Sequence, residues 1–223
     1  MKIVAITGSG ISSGSDIKTY REDPQWDSYA QGMAHFSRYG NYLPKLWEHW
    51  TQMARTIETA IPNPAHYALA ERGTAIITQN VDGLHVRAGS ENVIELHGNM
   101  YSMRCLRCKK TMPCDTSTTS PDCTYCGSSR MRTNSVLFGE RLLTRNVTEA
   151  QKLVMDADVV LVIGTSGVVY PARALVDLAI EHTEYKTRTT ILFDRVPWPD
   201  LPDFTEVIIG PAEETLPRYL NAL

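Results

Sequence analysis

Four of the five cysteines form two Cys-x-x-Cys pairs, and this spacing restricts the chain more than any other pattern in it. Cys105 is paired with Cys108 and Cys123 with Cys126, and fourteen residues separate the two pairs. Each pair can occupy a tight turn, so that four thiolates enclose one metal ion in a closed tetrahedron. Two disulfides or a redox site are alternatives, but a redox pair does not normally occur twice at this spacing. We therefore predict structural zinc, with Cys114 as an unpaired thiol.

Length and charge exclude several classes of function. The 223 residues are 43% hydrophobic and 21% charged, as in ordinary globular proteins. A net charge of −3 provides no basic surface for nucleic acid. No apolar run approaches the roughly 20 residues of a membrane helix, and the first apolar run is too short for a signal peptide. We expect a cytoplasmic monomer without membrane or direct nucleic-acid partners.

Short β-rich runs alternate with helical patterns through most of the chain. The run at 159–163 is apolar throughout, as expected for a strand buried on both faces. Strands that alternate with helices indicate an α/β fold, here a Rossmann-like parallel sheet with helices on both faces. The predicted strands are 3–7, 74–78, 159–163, 189–193 and 206–209, and the predicted helices are 65–72, 149–156 and 172–181.

Two regions depart from this alternation. Residues 22–64 are polar and aromatic, with helical patterns around 31–39 and 46–60, and prolines end the region. Residues 100–134 contain the paired cysteines, much Ser and Thr, and little apolar material. They therefore form a small inserted zinc module rather than part of the main core.

Two glycine turns follow predicted strands. Residues 8–10 read Gly-Ser-Gly, and such a turn lets the backbone approach a pyrophosphate beside a helix N-terminus. The third glycine of the dinucleotide fingerprint is missing, since Ser13 stands there, and a plain tight turn is the alternative. Residues 164–166 read Gly-Thr-Ser at the end of a buried strand, where open α/β sheets place ligands, although a helix N-cap is equally common.

A polar cluster follows the second predicted strand. Residues 78–83 read Thr-Gln-Asn-Val-Asp-Gly, and residues 95–98 read Glu-Leu-His-Gly. Two amides, a carboxylate and a histidine near the carboxyl ends of strands can bind a ribose and move a proton. Histidine is well suited to general-base work near neutral pH, which makes His97 the candidate base. A packed or exposed structural histidine is the alternative.

Together these segments closely resemble the sirtuin family, from residue 3 to about residue 217. Residues 8–12 match the family's Gly-Ala-Gly-Ile-Ser with one change, Ser for Ala at position 9. The same loop ends in Thr-Tyr-Arg where the family has Thr-Phe-Arg. The further matches, in the family's order, are 78–85, 95–98, 138–140, 164–166 and 169–172.

The resemblance implies one catalytic domain, residues 1–223, in which NAD lies between two parts. The Rossmann-like large domain comprises residues 1–30, 65–99 and 136–223. The small domain comprises the helical segment 31–64 and the zinc module 100–135. An acylated-lysine protein or peptide is implied as substrate, and it enters as a strand between the two domains.

The resemblance also implies the reaction and its residues. In the family, the acyl-lysine oxygen displaces nicotinamide, and a histidine, here His97, activates the ribose hydroxyl that attacks the resulting imidate. The products are lysine, nicotinamide and 2′-O-acyl-ADP-ribose. The implied cofactor-binding residues are Gly8, Ser9, Gly10, Ser12, Ile17, Tyr20, Arg21, Gln79, Asn80, Asp82, Gly164, Thr165, Ser166, Asp194 and Ala212. The implied substrate-binding residues are Val136, Phe138, Gly139 and Val169.

Several positions depart from the family pattern. Gly14 and Lys18 replace Glu and Pro, and Asp16 replaces Gly in the loop that closes over the cofactor. Asp194 replaces an Asn that contacts the adenine ribose; a carboxylate can accept ribose hydroxyls but would repel a 2′-phosphate. Residues 47–50 read Trp-Glu-His-Trp and lack the Arg of the desuccinylating branch, so we predict neutral acyl groups, acetyl or longer.

Other activities stay open on the same motifs. NAD hydrolysis or mono-ADP-ribosyl transfer occurs on sirtuin-like domains, and the altered loop could favour it. A non-catalytic NAD sensor or scaffold is a third reading. The intact Glu-Leu-His-Gly segment and the zinc module favour deacylation.

Overall fold

A computed structural model describes residues 1–19, 22, 32–115, 117–170, 172–181 and 188–223. The strands are β1 Ile3–Thr7, β2 Ala75–Thr78, β3 Val93–Glu95, β4 Ser102–Cys105, β5 Thr111–Pro113, β6 Met131–Thr133, β7 Val159–Ile163, β8 Thr189–Asp194 and β9 Glu206–Ile209. The α-helices are α1 Leu43–Thr59, α2 Pro64–Glu71, α3 Leu84–Arg87, α4 Thr144–Asp156, α5 Ala172–Glu181 and α6 Ala212–Ala222. Ser9–Ser15 and Tyr39–Asn41 form 3-10 helices.

Within the described residues, six strands form one parallel sheet in the order β3-β2-β1-β7-β8-β9. Numbered along the sheet, this is the 3-2-1-4-5-6 order of the Rossmann fold. The order reverses between β1 and β7, so the loops after these two strands diverge and open a crevice at their carboxyl ends. The predicted α/β fold is therefore confirmed.

Helices cover both faces of this sheet because its central strands are apolar on both sides. All five residues of β7 are buried. One core cluster joins α4 and α5 to the sheet, through residues such as Val154 and Val176. The opposite cluster joins α2 and α6, through residues such as Leu69 and Leu216.

The start of α2 shows how local sequence determines an element boundary. The Asn63 side chain accepts a hydrogen bond from the Ala65 N–H at 3.0 Å. His66 Nδ1 in turn accepts a hydrogen bond from the Asn63 backbone N–H at 3.3 Å. Pro64 occupies the first helical position. A backbone N–H there would have no acceptor within the helix, so proline's lack of one costs nothing. These three features begin the helix at the end of the polar region.

The small module contains a second sheet and its own core. β5, β4 and β6 pair antiparallel in that order. α1 packs on this sheet through residues spaced three or four apart, including Leu46, Trp50 and Ile57. The predicted small inserted module is thus a sheet packed on one helix.

One predicted helix is wrong in its described part. Residues 32–38 form turns around a bridge between His35 and Phe138 rather than a helix, and residue 31 lies outside the described residues. The backbone here pairs with another segment, with Phe36 N–H donating to the Phe138 carbonyl at 2.8 Å. A long-range strand-like contact has overridden the local helical pattern.

Among the described residues, no helix has the length and apolar character needed to cross a membrane.

Candidate functional site

The two predicted glycine turns meet at the sheet's reversal point. The Gly8 N–H donates to the Ile163 carbonyl at 3.0 Å, and the Gly10 N–H donates to the Gly164 carbonyl at 2.7 Å. A Cβ on Gly10 would lie 2.6 Å from the Gly164 Cα, closer than real Cβ atoms come. The two turns therefore touch backbone to backbone, as a site that cradles a pyrophosphate requires.

The turn after β7 does not begin a helix. Gly164 has a φ of +56°, and α5 begins only at Ala172. The helix N-cap alternative for residues 164–166 is therefore wrong. Thr165 is buried, and its Oγ1 accepts a hydrogen bond from Gln79 Nε2 at 3.0 Å, so this turn faces the end of β2.

A buried polar network lies beneath the first glycine turn. Ser12 Oγ donates to Asp82 Oδ2 at 2.7 Å, and Asn80 Nδ2 donates to Ser12 Oγ at 3.1 Å. Asp82 Oδ1 also accepts the Leu84 N–H, and Tyr101 donates its hydroxyl to the Asp82 carbonyl. Burial raises the pKa of Asp82, against the opposing effect of the donated hydrogen bonds. The network brings together three predicted cofactor residues: Ser12, Asn80 and Asp82.

His97 lies at the other end of this cluster with a defined tautomer. Its Nδ1 is 2.9 Å from the Gln79 carbonyl, which can only accept, so Nδ1 carries the proton and Nε2 presents a lone pair. Burial lowers the pKa of His97, with the Gln79 hydrogen bond acting in the opposite direction. The imidazole is therefore neutral at pH 7 and can accept a proton at Nε2.

The predicted substrate segment, residues 136–139, lies beside His97. The Val136 N–H donates to the His97 carbonyl at 2.7 Å. The Phe138 N–H donates to the Ala34 carbonyl at 3.1 Å, which links the segment to residues 32–38. Val169, the fourth predicted substrate residue, precedes α5, where its carbonyl accepts the Arg173 N–H.

The other predicted cofactor residues that the structure describes lie on several different elements. Ile17 packs on the core of the small module. Asp194 ends β8, and its carboxylate accepts from Trp198 Nε1 at 3.2 Å and from the Val196 N–H at 3.3 Å. Ser9 and Gly8 lie in the first glycine turn, Ser166 follows β7, and Ala212 begins α6. Tyr20 and Arg21 lie outside the described residues.

Sequence reasoning missed the residues that support these turns from behind. Thr7 Oγ1 and His85 Nε2 are 2.9 Å apart, and the His85 ring lies 4.9 Å from the ring of His66. Asn63 Nδ2 donates to the Ile11 carbonyl at 2.7 Å and to Ser15 Oγ at 3.1 Å. The sequence predicted a helix at 65–72, but no local signal showed that the residues at its start would hold the first glycine turn.

The four paired cysteines converge as predicted. Their Sγ atoms all lie within 4.8 Å of one another, and the Cys105–Cys126 and Cys108–Cys123 Sγ pairs are each 3.6 Å apart. A tetrahedron with Zn–S bonds near 2.3 Å has S–S edges of about 3.8 Å, so the four sulfurs fit a zinc ion.

Each cysteine pair lies on a turn that points its sulfurs inward. The N–H groups of Cys108 and Arg107 donate to Cys105 Sγ and, with the neighbouring thiols, lower the pKa of this thiol. Lys109 and Gly127 adopt positive φ, and their N–H groups close the two turns on Cys105 and Cys123. Four sulfur ligands would complete a tetrahedral shell and leave no position for water, so a zinc ion held here would be structural.

The two tryptophans of residues 47–50, the segment on which the acyl-group prediction rests, lie in the core of the small module. Trp47 and Trp50 are buried and their rings meet edge to face at 5.4 Å. Trp47 Nε1 donates to the Met131 carbonyl at 2.8 Å. In the structure, Trp47 and Trp50 therefore pack α1 against β6.

Comparison with known proteins decides the family. A family model described as Sir2 family matches residues 8–171, a span that includes both glycine turns, His97 and the four paired cysteines. The chain belongs to the Sir2 family. This is the sirtuin family that the motifs indicated, and the resemblance is therefore confirmed.

Sir2 relatives match over most of the chain. A protein of Pyrococcus furiosus named NAD-dependent protein deacylase is 44% identical over 184 residues, covering 76% of this chain and 73% of the relative. NAD-dependent protein deacylase 2 of Archaeoglobus fulgidus is 38% identical over 231 residues, covering 98% of this chain and 89% of the relative.

Solved Sir2 structures share the fold. A Sir2 homolog–NAD complex superposes with a TM-score of 0.86 at 33% identity, covering 99% of this chain and 90% of that one. A complex titled Sir2-p53 peptide-NAD+ has a TM-score of 0.86 at 31% identity, covering 99% of this chain and 92% of that one. The fold of these Sir2 structures is therefore also the fold of this protein.

Proposed function

We propose that this Sir2 protein removes acyl groups from lysine side chains of proteins with NAD as co-substrate. The observation that carries the proposal is the neutral imidazole of His97, with Nε2 unprotonated, beside both the polar cluster and residues 136–139. A base placed there can serve a ribose on one side and an acyl-lysine on the other. The relatives' names, NAD-dependent protein deacylase, support the same activity.

The crevice suits NAD by its shape and donors. Gly8, Gly10 and Gly164 lack the Cβ atoms that would hold the two turns apart, so both turns reach the sheet's reversal point, where a pyrophosphate could lie against their backbone. Asn80 and Asp82, at the end of β2, would face the nicotinamide end. The Asp194 carboxylate, at the end of β8, would face the adenine ribose and disfavour a 2′-phosphate.

The protein's own groups would do the following during turnover. NAD, when bound, supplies a ribosyl group with nicotinamide as the leaving group. His97 Nε2 would take a proton from a ribose hydroxyl. The Gln79 carbonyl would keep the ring in place by accepting the hydrogen bond from Nδ1. Val136, Phe138, Gly139 and Val169 would hold the acyl-lysine peptide, and exclusion of bulk water would limit hydrolysis of NAD before acyl transfer, which itself consumes one water.

We also propose the two-domain division as the basis of the cleft. The parallel sheet belongs to the large domain, 1–30, 65–99 and 136–223, and the antiparallel sheet with α1 belongs to the small domain, 31–64 and 100–135. Separate core clusters in the two sheets support this boundary. Zinc, held by Cys105, Cys108, Cys123 and Cys126, would keep the small domain folded.

The test is a panel of acyl peptides incubated with NAD and analysed by mass spectrometry. We expect free lysine peptide, nicotinamide and 2′-O-acyl-ADP-ribose, with acetyl or longer neutral acyl groups turned over faster than succinyl. His97→Ala should lower the rate at least about 100-fold, since general-base catalysis contributes that much or more, with folding and zinc content unchanged.

Other products would contradict the proposal. Free ADP-ribose without peptide deacylation would identify an NAD hydrolase, and ADP-ribosylated protein would identify a transferase. Full turnover by His97→Ala would exclude the assigned base. Tight NAD binding without nicotinamide release would indicate a non-catalytic NAD sensor or scaffold.

A further inference from the structure

A single carboxylate joins the small sheet to the substrate segment. Arg104 on β4 and Arg132 on β6 are direct cross-strand partners. Two like charges at such positions destabilise a sheet unless an opposite charge lies between them. Glu140 supplies that charge: its Oε1 accepts from Arg104 Nη2, and its Oε2 accepts from Arg132 Nη2 at 2.7 Å.

The same carboxylate also holds the backbone of the substrate segment. Glu140 Oε2 accepts a hydrogen bond from the Leu137 N–H at 3.0 Å, and the Glu140 N–H donates to the Leu137 carbonyl at 3.0 Å. This turn contains Gly139, whose φ is +73°, and the imidazole of His35 lies where a Cβ on Gly139 would be. Residues 136–139 are therefore held by hydrogen bonds to His97, residues 34–36 and Glu140, and by the packing of Leu137 in the small core.

The cluster is buried enough for this link to be rigid. The Arg132 side chain is 1% exposed and that of Glu140 is 13% exposed. Arg132 also donates to the carbonyls of Thr133 and Ser135, and its guanidinium lies over the Tyr39 ring. Burial would raise the pKa of Glu140, but the bonds from Arg132 and Leu137 and the two guanidinium charges lower it, so the carboxylate is charged.

We propose that Glu140 is a positioning residue for acyl-lysine binding: it fixes residues 136–139 in the substrate-receiving conformation and ties them to the zinc-binding sheet. The proposal rests on the proposed function, because the substrate it concerns is an acyl-lysine peptide. Arg104 precedes the metal ligand Cys105 on β4. The Glu140 carboxylate thereby connects the order of the small sheet to the peptide cleft, in addition to the chain that leads from β6 to residue 136 and the packing of Leu137 in the small core.

The test compares Glu140→Gln with wild type in the full zinc-loaded chain, using an acetyl-lysine peptide and NAD. We expect the KM for peptide to rise about tenfold or more, because a displacement of about 1 Å in a positioning group can cost on the order of 100-fold. The KM for NAD and the zinc content should stay within about twofold of wild type, and kcat should fall by less than the peptide KM rises.

A second variant covers the case in which Glu140→Gln folds poorly. Arg104 is 33% exposed, so Arg104→Gln removes one partner and leaves the buried Arg132–Glu140 pair intact. It should raise the peptide KM by a smaller factor and add nothing in the Glu140→Gln background. Asp156→Asn is the matched control, since Asp156 pairs with Lys2 on an exposed surface, and it should leave both KM values unchanged.

Hydrogen exchange of the segment 136–140 separates this proposal from the proposed function. Loss of the Glu140 carboxylate should speed exchange of the Leu137 amide, whether or not the protein deacylates peptides. An inactive wild type would refute the proposed function, while unchanged exchange in both variants would refute the role of Glu140. An equal fall in kcat, NAD affinity, zinc content and folded fraction would also refute it, since that is the signature of a purely structural residue.

Discussion

At the scale of single residues, Asp16 shows how a substitution can be tolerated in a demanding position. It follows the 3-10 turn Ser9–Ser15 with a φ of +59° and a ψ of +21°, the left-handed region that favours glycine. The family resemblance placed Gly there, and Asp is among the residues that adopt this conformation with the least strain. Asp16 is exposed, so its side chain meets no packing constraint.

We predict that Asp16→Val destabilises the protein by about 1–2 kcal/mol, because a β-branched residue is strained in the left-handed region. Asp16→Gly should change the free energy of unfolding by less than about 1 kcal/mol. Urea unfolding measures both. The control is Glu91→Val, which also introduces valine in place of an exposed acidic residue, but one without positive φ. Equal effects of the valine substitutions at positions 16 and 91 would contradict the backbone argument.

At the scale of elements, the small module depends on its metal more than the parallel sheet does. Its three strands are short, and Met103, Cys105, Cys123 and Met131 share one small core with α1. Strands of three or four residues have little stability alone, so the four thiolates supply much of the order through the metal. The large sheet has cores on both faces that contain no cysteine of the four.

We predict that Cys105→Ser loses zinc and unfolds the small sheet while the parallel sheet persists. Trp47 and Trp50 report on the small core, so their near-ultraviolet circular dichroism should collapse with most of the far-ultraviolet signal retained. Cys114→Ser is the control and should keep zinc. Burial raises the pKa of Cys114 to about 11, so this thiol stays protonated at pH 7 and does not act as a metal ligand. Zinc retention by Cys105→Ser would contradict this prediction.

At the scale of the whole molecule, two buried histidines join elements that are far apart in sequence. His66 on α2 and His85 on α3 lie ring to ring behind β1, and His66 Nε2 and His85 Nδ1 are buried without a hydrogen-bond partner among the described residues. Burial lowers the pKa of His66 to about 4. Burial and the neighbouring His66 lower that of His85 to about 3. The folded protein therefore holds both rings neutral.

We predict a loss of stability in acid that involves this pair. Between the unfolded pKa near 6.5 and the folded values of about 3 to 4, the unfolded chain binds more protons, so the free energy of unfolding decreases as pH falls. Each histidine contributes up to about 1.4 kcal/mol per pH unit. Urea unfolding from pH 7 to pH 5 should show a shallower slope for His85→Gln, and an unchanged slope would contradict the assignment.

Much of the fold followed from local patterns. All five predicted strands match β1, β2, β7, β8 and β9 to within one residue, because apolar runs and turns depend on neighbouring residues. The helix predicted at 149–156 in fact begins at Thr144, since the polar first turns of α4 carry little periodic signal. Residues 32–38 failed as a helix because their backbone partner, Phe138, lies about a hundred positions away.

The sequence by itself determined the family, the parallel α/β architecture and the set of zinc ligands, since each depends on spacing along a short stretch of chain. Only the tertiary structure decided that the two glycine turns touch, that Gln79 orients His97, and that Glu140 bridges two opposed arginines to the substrate segment. These contacts form between residues brought together by strand order and sheet pairing. Their energies depend on burial and distance, which no local pattern records.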